Sequence, residues 1–271
     1  MVVQDLGAGH MVVSQPAHAW LSAMLAAHWG NERFHRPEPW SELLAAIAIH
    51  DNGWLEWEKD PEWLPGTRQP RDFMRMDVTT HLKIWKKSIE SALCYSRYAA
   101  LMVSMHATTL AEWALDALDE PPSVKAKRQT FLGEQRRFQH EVRSQLQAEG
   151  RWARWLDDTH LETGLQLLKA CDSISLTLCG GWETPATIER VPGDRPGGFV
   201  DLTLTKVGRR EYVLDPYPFD VSPVRAATQG FLLPKLRDDE DISLRELIVR
   251  AAQLTLEFTI WPPDEGERQR S

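Results

Sequence analysis

Ser41-Glu42-Leu43-Leu44-Ala45-Ala46-Ile47-Ala48-Ile49-His50-Asp51-Asn52-Gly53-Trp54 runs from a serine through an apolar helical repeat into a His-Asp doublet and a glycine. Serine is a favoured N-cap, and Gly53 stands where a left-handed terminating residue is wanted, so the stretch predicts a helix that ends at the doublet. His50 follows Leu43, Ala46 and Ile47 at helical spacing, while Asp51 follows Leu44, Ile47 and Ala48. Both side chains therefore project from the buried side of the last turn. A carboxylate placed there meets the partial negative charge of the free helix carbonyls, an awkwardness that a bound cation would relieve.

Outward from the doublet, other segments repeat the theme of one His or Asp on an apolar stripe. Ser14-Gln15-Pro16 reads as a helix start, with the helix running to about Trp29 and stopped by Gly30-Asn31; His18, Leu21 and Leu25 share its inner face. A helix capped by Thr79 or Thr80 carries His81, Ile84, Trp85 and Ser88, and the next carries Ala99, Met102, Val103, His106 and Leu110. Residues 123–150 form a long charged helix, and Asp157-Asp158 start another whose stripe is Leu161, Leu165, Leu168, Asp172 and Ser175. An unpaired polar group on such a stripe is costly. His18, His50, Asp51, His81, His106 and Asp172 are thus expected to converge. Residues 54–77, rich in Trp, Pro and Gly, read as a long ordered loop or short-helix connection that covers the core or acts as a lid.

After Trp182 the texture changes. Pro185, Pro192, Gly193, Pro196, Gly197 and Gly198 read as a linker, and alternation in Phe199-Val200-Asp201-Leu202-Thr203-Leu204 and Tyr212-Val213-Leu214 predicts a hairpin. A helix over residues 243–252 and a last strand through Leu254, Leu256, Phe258 and Ile260 follow. The expected fold is mainly α: a helical domain over residues 1–185, a small strand-containing appendage over residues 186–263, and a frayed tail over residues 264–271.

The 271 residues can bury a substantial core, and 42% hydrophobic with 26% charged residues is ordinary for a folded soluble chain. A net charge of -8 argues against a broad nucleic-acid or anionic-membrane surface. The first residues lack a signal peptide, and no apolar run spans a bilayer, so a cytoplasmic location is expected. Cys94, Cys171 and Cys179 show no close pairing that suggests a disulfide framework or thiolate site.

Imidazoles and carboxylates without thiolates suit divalent iron, manganese, nickel or zinc, as one ion or two. His18, His50, Asp51 and Asp172 could hold one metal, with His81 and His106 holding a second bridged by Asp51. The expected chemistry is activation of a water for attack, with Asp51, His81 and His106 as the catalytic residues. Trp54, Arg68 and Lys83 are the candidate substrate contacts.

The order of His, then His-Asp, then a distant Asp on successive helices resembles the HD-domain superfamily of metal-dependent phosphohydrolases. The intervening His81 and His106 resemble its dinuclear branch. More closely, Gln15-Pro16-Ala17-His18, His50-Asp51-Asn52-Gly53-Trp54 and Val103-Ser104-Met105-His106 resemble a bacterial family catalogued as DUF3891, over most of the chain including the terminal strand region. The resemblance implies an HD-like helical bundle with metal ligands at His18, His50, Asp51 and Asp172, and at His81 and His106. It further implies a hydrolase of a phosphorylated small molecule. Members with two irons that oxidise small substrates with oxygen supply the alternative, and a non-catalytic metal-binding protein is a third. A small-molecule substrate and a homodimer are the expected partners.

Overall fold

Serine, aspartate and proline set the helix starts in this chain, which a computed structural model describes over residues 1–236 and 240–266. Strands β1 (Val2–Asp5) and β2 (Gly9–Val13) precede helix α1 (Gln15–Ala27), whose cap Ser14 accepts from the Ala17 amide at 3.2 Å. Then come α2 (Trp40–Ile49), the short α3 (Trp54–Glu58), α4 (Val78–Leu93), α5 (Arg97–Ala117), the charged α6 (Pro122–Ala148) and α7 (Asp158–Gly180). Asp157 caps α7, as expected from sequence, but Asp77 rather than Thr79 or Thr80 caps α4, through the Thr80 amide. Ser41 lies inside the first turn of α2, which has no side-chain cap.

The remainder is β3 (Ala186–Pro192), β4 (Phe199–Gly208), β5 (Glu211–Asp215), β6 (Val224–Pro234), α8 (Leu244–Arg250), β7 (Ala252–Trp261) and the short α9 (Pro263–Gly266). Among the described residues all seven strands join one curled sheet in the order β1-β2-β6-β7-β5-β4-β3. It is mixed, because β5 and β7 run parallel while the other neighbours are antiparallel.

This overturns the expectation of a mainly α, HD-like bundle with a small antiparallel appendage. Half of the chain is helical, and the sheet is a principal layer of the molecule. Helices α1 and α7 pack on the sheet, α1 against β6 and α7 against β3 and β1. One hydrophobic core runs through both layers, from Leu21, Leu43, Met102 and Leu168 to Leu202, Leu214, Val224 and Phe258. Three features hid the sheet. The N-terminal strands are too short to establish a period. Strand β3 occupies the Pro- and Gly-rich stretch that reads as a linker. The inward positions of β6 include Ala226, Thr228 and Gly230, so it lacks an apolar alternation; Thr228 also bonds the Ala17 carbonyl of α1 at 2.9 Å.

The predicted tail starts as α9, and its residues 267–271 lie outside the described residues. No helix among the described residues is long and apolar enough to cross a membrane. Cys171 and Cys179 are buried, whereas Cys94 is exposed.

Gly53 serves a different purpose from the one its sequence position suggests. Its φ of -62° is right-handed, so it does not end the helix by a left-handed turn. Instead a Cβ there would collide with the Ile84 carbonyl oxygen and the Ser88 nitrogen, while its own amide donates to Ser88 Oγ at 3.0 Å. Lack of a side chain lets the His-Asp turn lie against α4. Gly53→Ala is expected to destabilise the protein by about 3 kcal/mol, measured by denaturant unfolding; a loss under about 0.5 kcal/mol would show that the turn can relax.

Candidate metal centre

Four helices bring the polar side chains together. His18 comes from α1, His50 and Asp51 from the end of α2, His106 from the middle of α5 and Asp172 from α7. Helix α2 ends because His50 and Asp51 enter a turn closed by Asn52 N to Ile49 O at 2.9 Å and Trp54 N to Asp51 O at 3.0 Å. That turn aims the doublet into the gap between α1, α5 and α7.

His18 is fully buried and held at both ring nitrogens. Nε2 lies 2.9 Å from Asp51 Oδ2, and Nδ1 lies 2.9 Å from Ser175 Oγ. Ser175 donates its own proton to the Asp172 carbonyl at 2.9 Å, so it can accept from Nδ1–H. Ser22, 2.7 Å from Ser175 Oγ, completes this support. His50 Nδ1 donates to the Ile47 carbonyl at 2.8 Å, which turns Nε2 toward the carboxylates. Nε2 sits 3.4 Å from Asp172 Oδ1 and 3.8 Å from Asp51 Oδ2 and makes no hydrogen bond. His106 Nε2 is 3.5 Å from Asp172 Oδ2, and its buried Nδ1 has no partner.

The donor atoms form two groups that share His50. His18, His50 and Asp51 are one, and His50, His106 and Asp172 are the other, each with its atoms within 4.8 Å of one another. This differs from the sequence-based division, since His106 joins Asp172 and His50 rather than His81. His81 lies outside both groups, on the wall of the same cavity between Trp54 and Trp85, with ring centroids 5.3 and 4.5 Å away.

The charges follow the geometry. Burial works against the charged form of His50, but Asp51 and Asp172 outweigh it and lift its pKa to about 9. Burial likewise opposes the charges of Asp51 and Asp172, and the facing imidazoles hold both carboxyls below their usual range. His81 and His106 are lowered to about 4, chiefly by burial, so they are neutral at pH 7. Two ionised carboxylates, His50 Nε2 facing them without a hydrogen bond, and support at the far nitrogens of His18 and His50 fit a divalent cation, for which second-shell orientation of this kind is usual.

A cavity of about 450 Å³ opens above the cluster. Trp54, a candidate contact, is buried on its wall. The structure does not bring Arg68 or Lys83 to it: Arg68 lines a depression beside Asp5, Gly9 and Lys235, and Lys83 lies in a shallow groove with Lys86 and Lys127. The cation that does reach the cavity is Arg128 of α6, paired with Glu120 at 2.7 and 2.6 Å. Sequence reasoning missed Arg128 because residues 123–150 read as a solvated charged helix, and Glu120 lies just before that stretch. It also missed Gln15, which lines the cavity with a buried, unpartnered Oε1 and stands three residues before His18; that spacing on one helix face was a usable signal.

Fold and site together define a protein of helices packed on a mixed, mainly antiparallel sheet, with a buried imidazole and carboxylate cluster at the floor of a largely apolar cavity. The family model described as "Protein of unknown function (DUF3891)" matches residues 1–235, and the chain belongs to that family. The match contains every residue of the cluster and stops short of β7, the terminal strand. No curated protein and no solved structure matches the chain.

Proposed function

We propose that this protein is a metal-dependent hydrolase of a phosphorylated small molecule, related to the HD-domain superfamily and holding one or two divalent ions in its His/Asp cluster. The observation that carries the reading is His50 Nε2: buried, without a hydrogen bond, and facing both carboxylates from a ring fixed by the Ile47 carbonyl. Burying such a group without a hydrogen bond is costly, and a cation held by it and the aspartates would remove that cost.

His18, His50 and Asp51 would hold one ion and His106 with Asp172 a second, because His50 offers only Nε2 and can serve either position but not both at once. A bound divalent ion supplies Lewis acidity toward a phosphoryl oxygen and lowers the pKa of a water near it toward neutrality. The chain's own residues do the rest. Ser175 and the Ile47 carbonyl orient His18 and His50. His81, neutral and outside both donor groups, stands on the cavity wall as a base that can accept a proton during the reaction. Trp54 and Trp85 exclude water around it.

The test is phosphate release from a panel of phosphate esters by protein loaded in turn with manganese, iron, nickel and zinc. Release that requires metal supports the reading. Two bound irons with substrate-dependent oxygen uptake and no phosphate release would replace it with oxygenation.

A further inference from the structure

We infer that the substrate is a single polar head on an apolar chain- or ring-like body, not a nucleotide, sugar phosphate or polyphosphate. The inference rests on the hydrolase reading only for the identity of the head as a phosphate; the shape and polarity of the cavity carry the rest.

The cavity is of a size that suits a small ligand. Its walls away from the cluster are formed mainly by apolar side chains, among them Phe73, Met76, Trp85, Leu110 and Leu118. Outside the cluster, the polar side chains on the described lining are Gln15, His81, Glu120 and Arg128, besides the indole N–H groups of its tryptophans. Arg128 is its one arginine or lysine, and Glu120 takes both its Nε and its Nη2, so the pair adds no net charge. A polyphosphate would find no free side-chain cation along these walls. The several hydroxyls of a sugar or the edges of a base would outnumber these few polar groups and be buried mostly against apolar surface.

The rim points the same way. Trp113, Met74 and Leu118 line the cavity while remaining 61%, 65% and 39% exposed, so apolar surface continues from the interior to the opening. Buried Gln15 Oε1, an acceptor without a donor beside the cluster, suits a single hydroxyl or N–H near the polar head.

The experiment is calorimetric titration of the manganese-loaded protein with non-hydrolysable n-alkylphosphonates from methyl to octyl, and with a nucleoside monophosphate. Affinity is expected to rise about fourfold per added methylene over the first several carbons, with the nucleotide no tighter than methylphosphonate. Trp113→Ala, a change at an exposed rim position, should lower octylphosphonate affinity several-fold and leave methylphosphonate affinity unchanged. A flat series, an unbound series, a nucleotide tighter than octylphosphonate, or the same chain-length slope in Trp113→Ala would overturn the inference. Chain-length dependence without hydrolysis of the matching alkyl phosphates would retain it and overturn the hydrolase reading; hydrolysis with a flat series would do the reverse.

Discussion

Asp51→Ala is expected to weaken divalent-metal binding by more than about 100-fold and to abolish metal-dependent turnover, with the helices and sheet retained. Loss of an outer-shell partner alone costs about 10–100-fold in affinity, and Asp51 is placed as an inner donor. Its Oδ2 touches His18 Nε2 at 2.9 Å and lies 3.8 Å from His50 Nε2, so it joins the two imidazoles of the first donor group. The facing histidines keep it ionised against the effect of burial, so it contributes a full negative charge. Asp51→Asn separates the two roles, since it keeps the shape but not the charge. Removing one partner of a buried pair also costs stability, about 3–5 kcal/mol, partly offset here because Asp172 loses a like-charged neighbour. Calorimetry with manganese, alongside circular dichroism, reads both effects. An Asp51→Ala protein that binds manganese within tenfold of the parent would remove Asp51 from the donor set.

In the metal-free protein, thermal stability is expected to peak near pH 6.5 and to fall on both sides. His50 has a folded pKa raised from 6.5 to about 9, so its contribution is fully present below pH 6.5 and is lost as pH rises through 9. His81 and His106 act in the opposite sense. Their folded values of about 4 lie below 6.5, so the unfolded chain takes up protons that the fold refuses, and stability is lost as pH falls from 6.5 to 4. Asp51 and Asp172 extend the acid loss below about pH 4, because their folded values are depressed and their contribution disappears on protonation. Each group changes stability by at most about 1.4 kcal/mol per pH unit, so the acid flank, with two imidazoles, should be the steeper. Melting temperatures measured in chelator at pH 5, 6.5 and 9 check this. His50→Gln should flatten the alkaline flank and His81→Gln should soften the acid one, whereas equal melting temperatures at all three values would contradict the assigned charges.

The site was far more legible in the sequence than the fold. Helical spacing sufficed to turn His18, His50, Asp51, His106 and Asp172 inward, because one helix period determines the face of each residue without reference to its partners. How they pair was not legible: that His106 meets Asp172 while His81 faces Trp54 and Trp85 depends on how α4, α5 and α7 cross. Arg128 and Glu120 escaped notice because a charged residue is usually exposed, and only the tertiary structure shows this pair partly buried at the cavity. The sheet was hidden for a different reason. Its central strand β7 was visible by alternation, but β7 lies between β6 and β5, and its neighbours come from distant parts of the chain. Pairing between β2 and β6 joins Gly9 to Pro234, a long-range contact that no local period announces. Gly53 shows how a correct residue can carry the wrong reason: the turn needs glycine for its approach to Ile84 and Ser88, not for a left-handed φ.

The central claim is that the cluster of His18, His50, Asp51, His106 and Asp172 is a metal centre, and titration of the chelator-stripped protein with manganese, iron, nickel and zinc, followed by elemental analysis of the complex, tests it most directly. One or two equivalents bound at micromolar concentration or tighter, with proton release from the cluster, is the predicted result. A folded protein that binds none of these ions below millimolar concentration would contradict it.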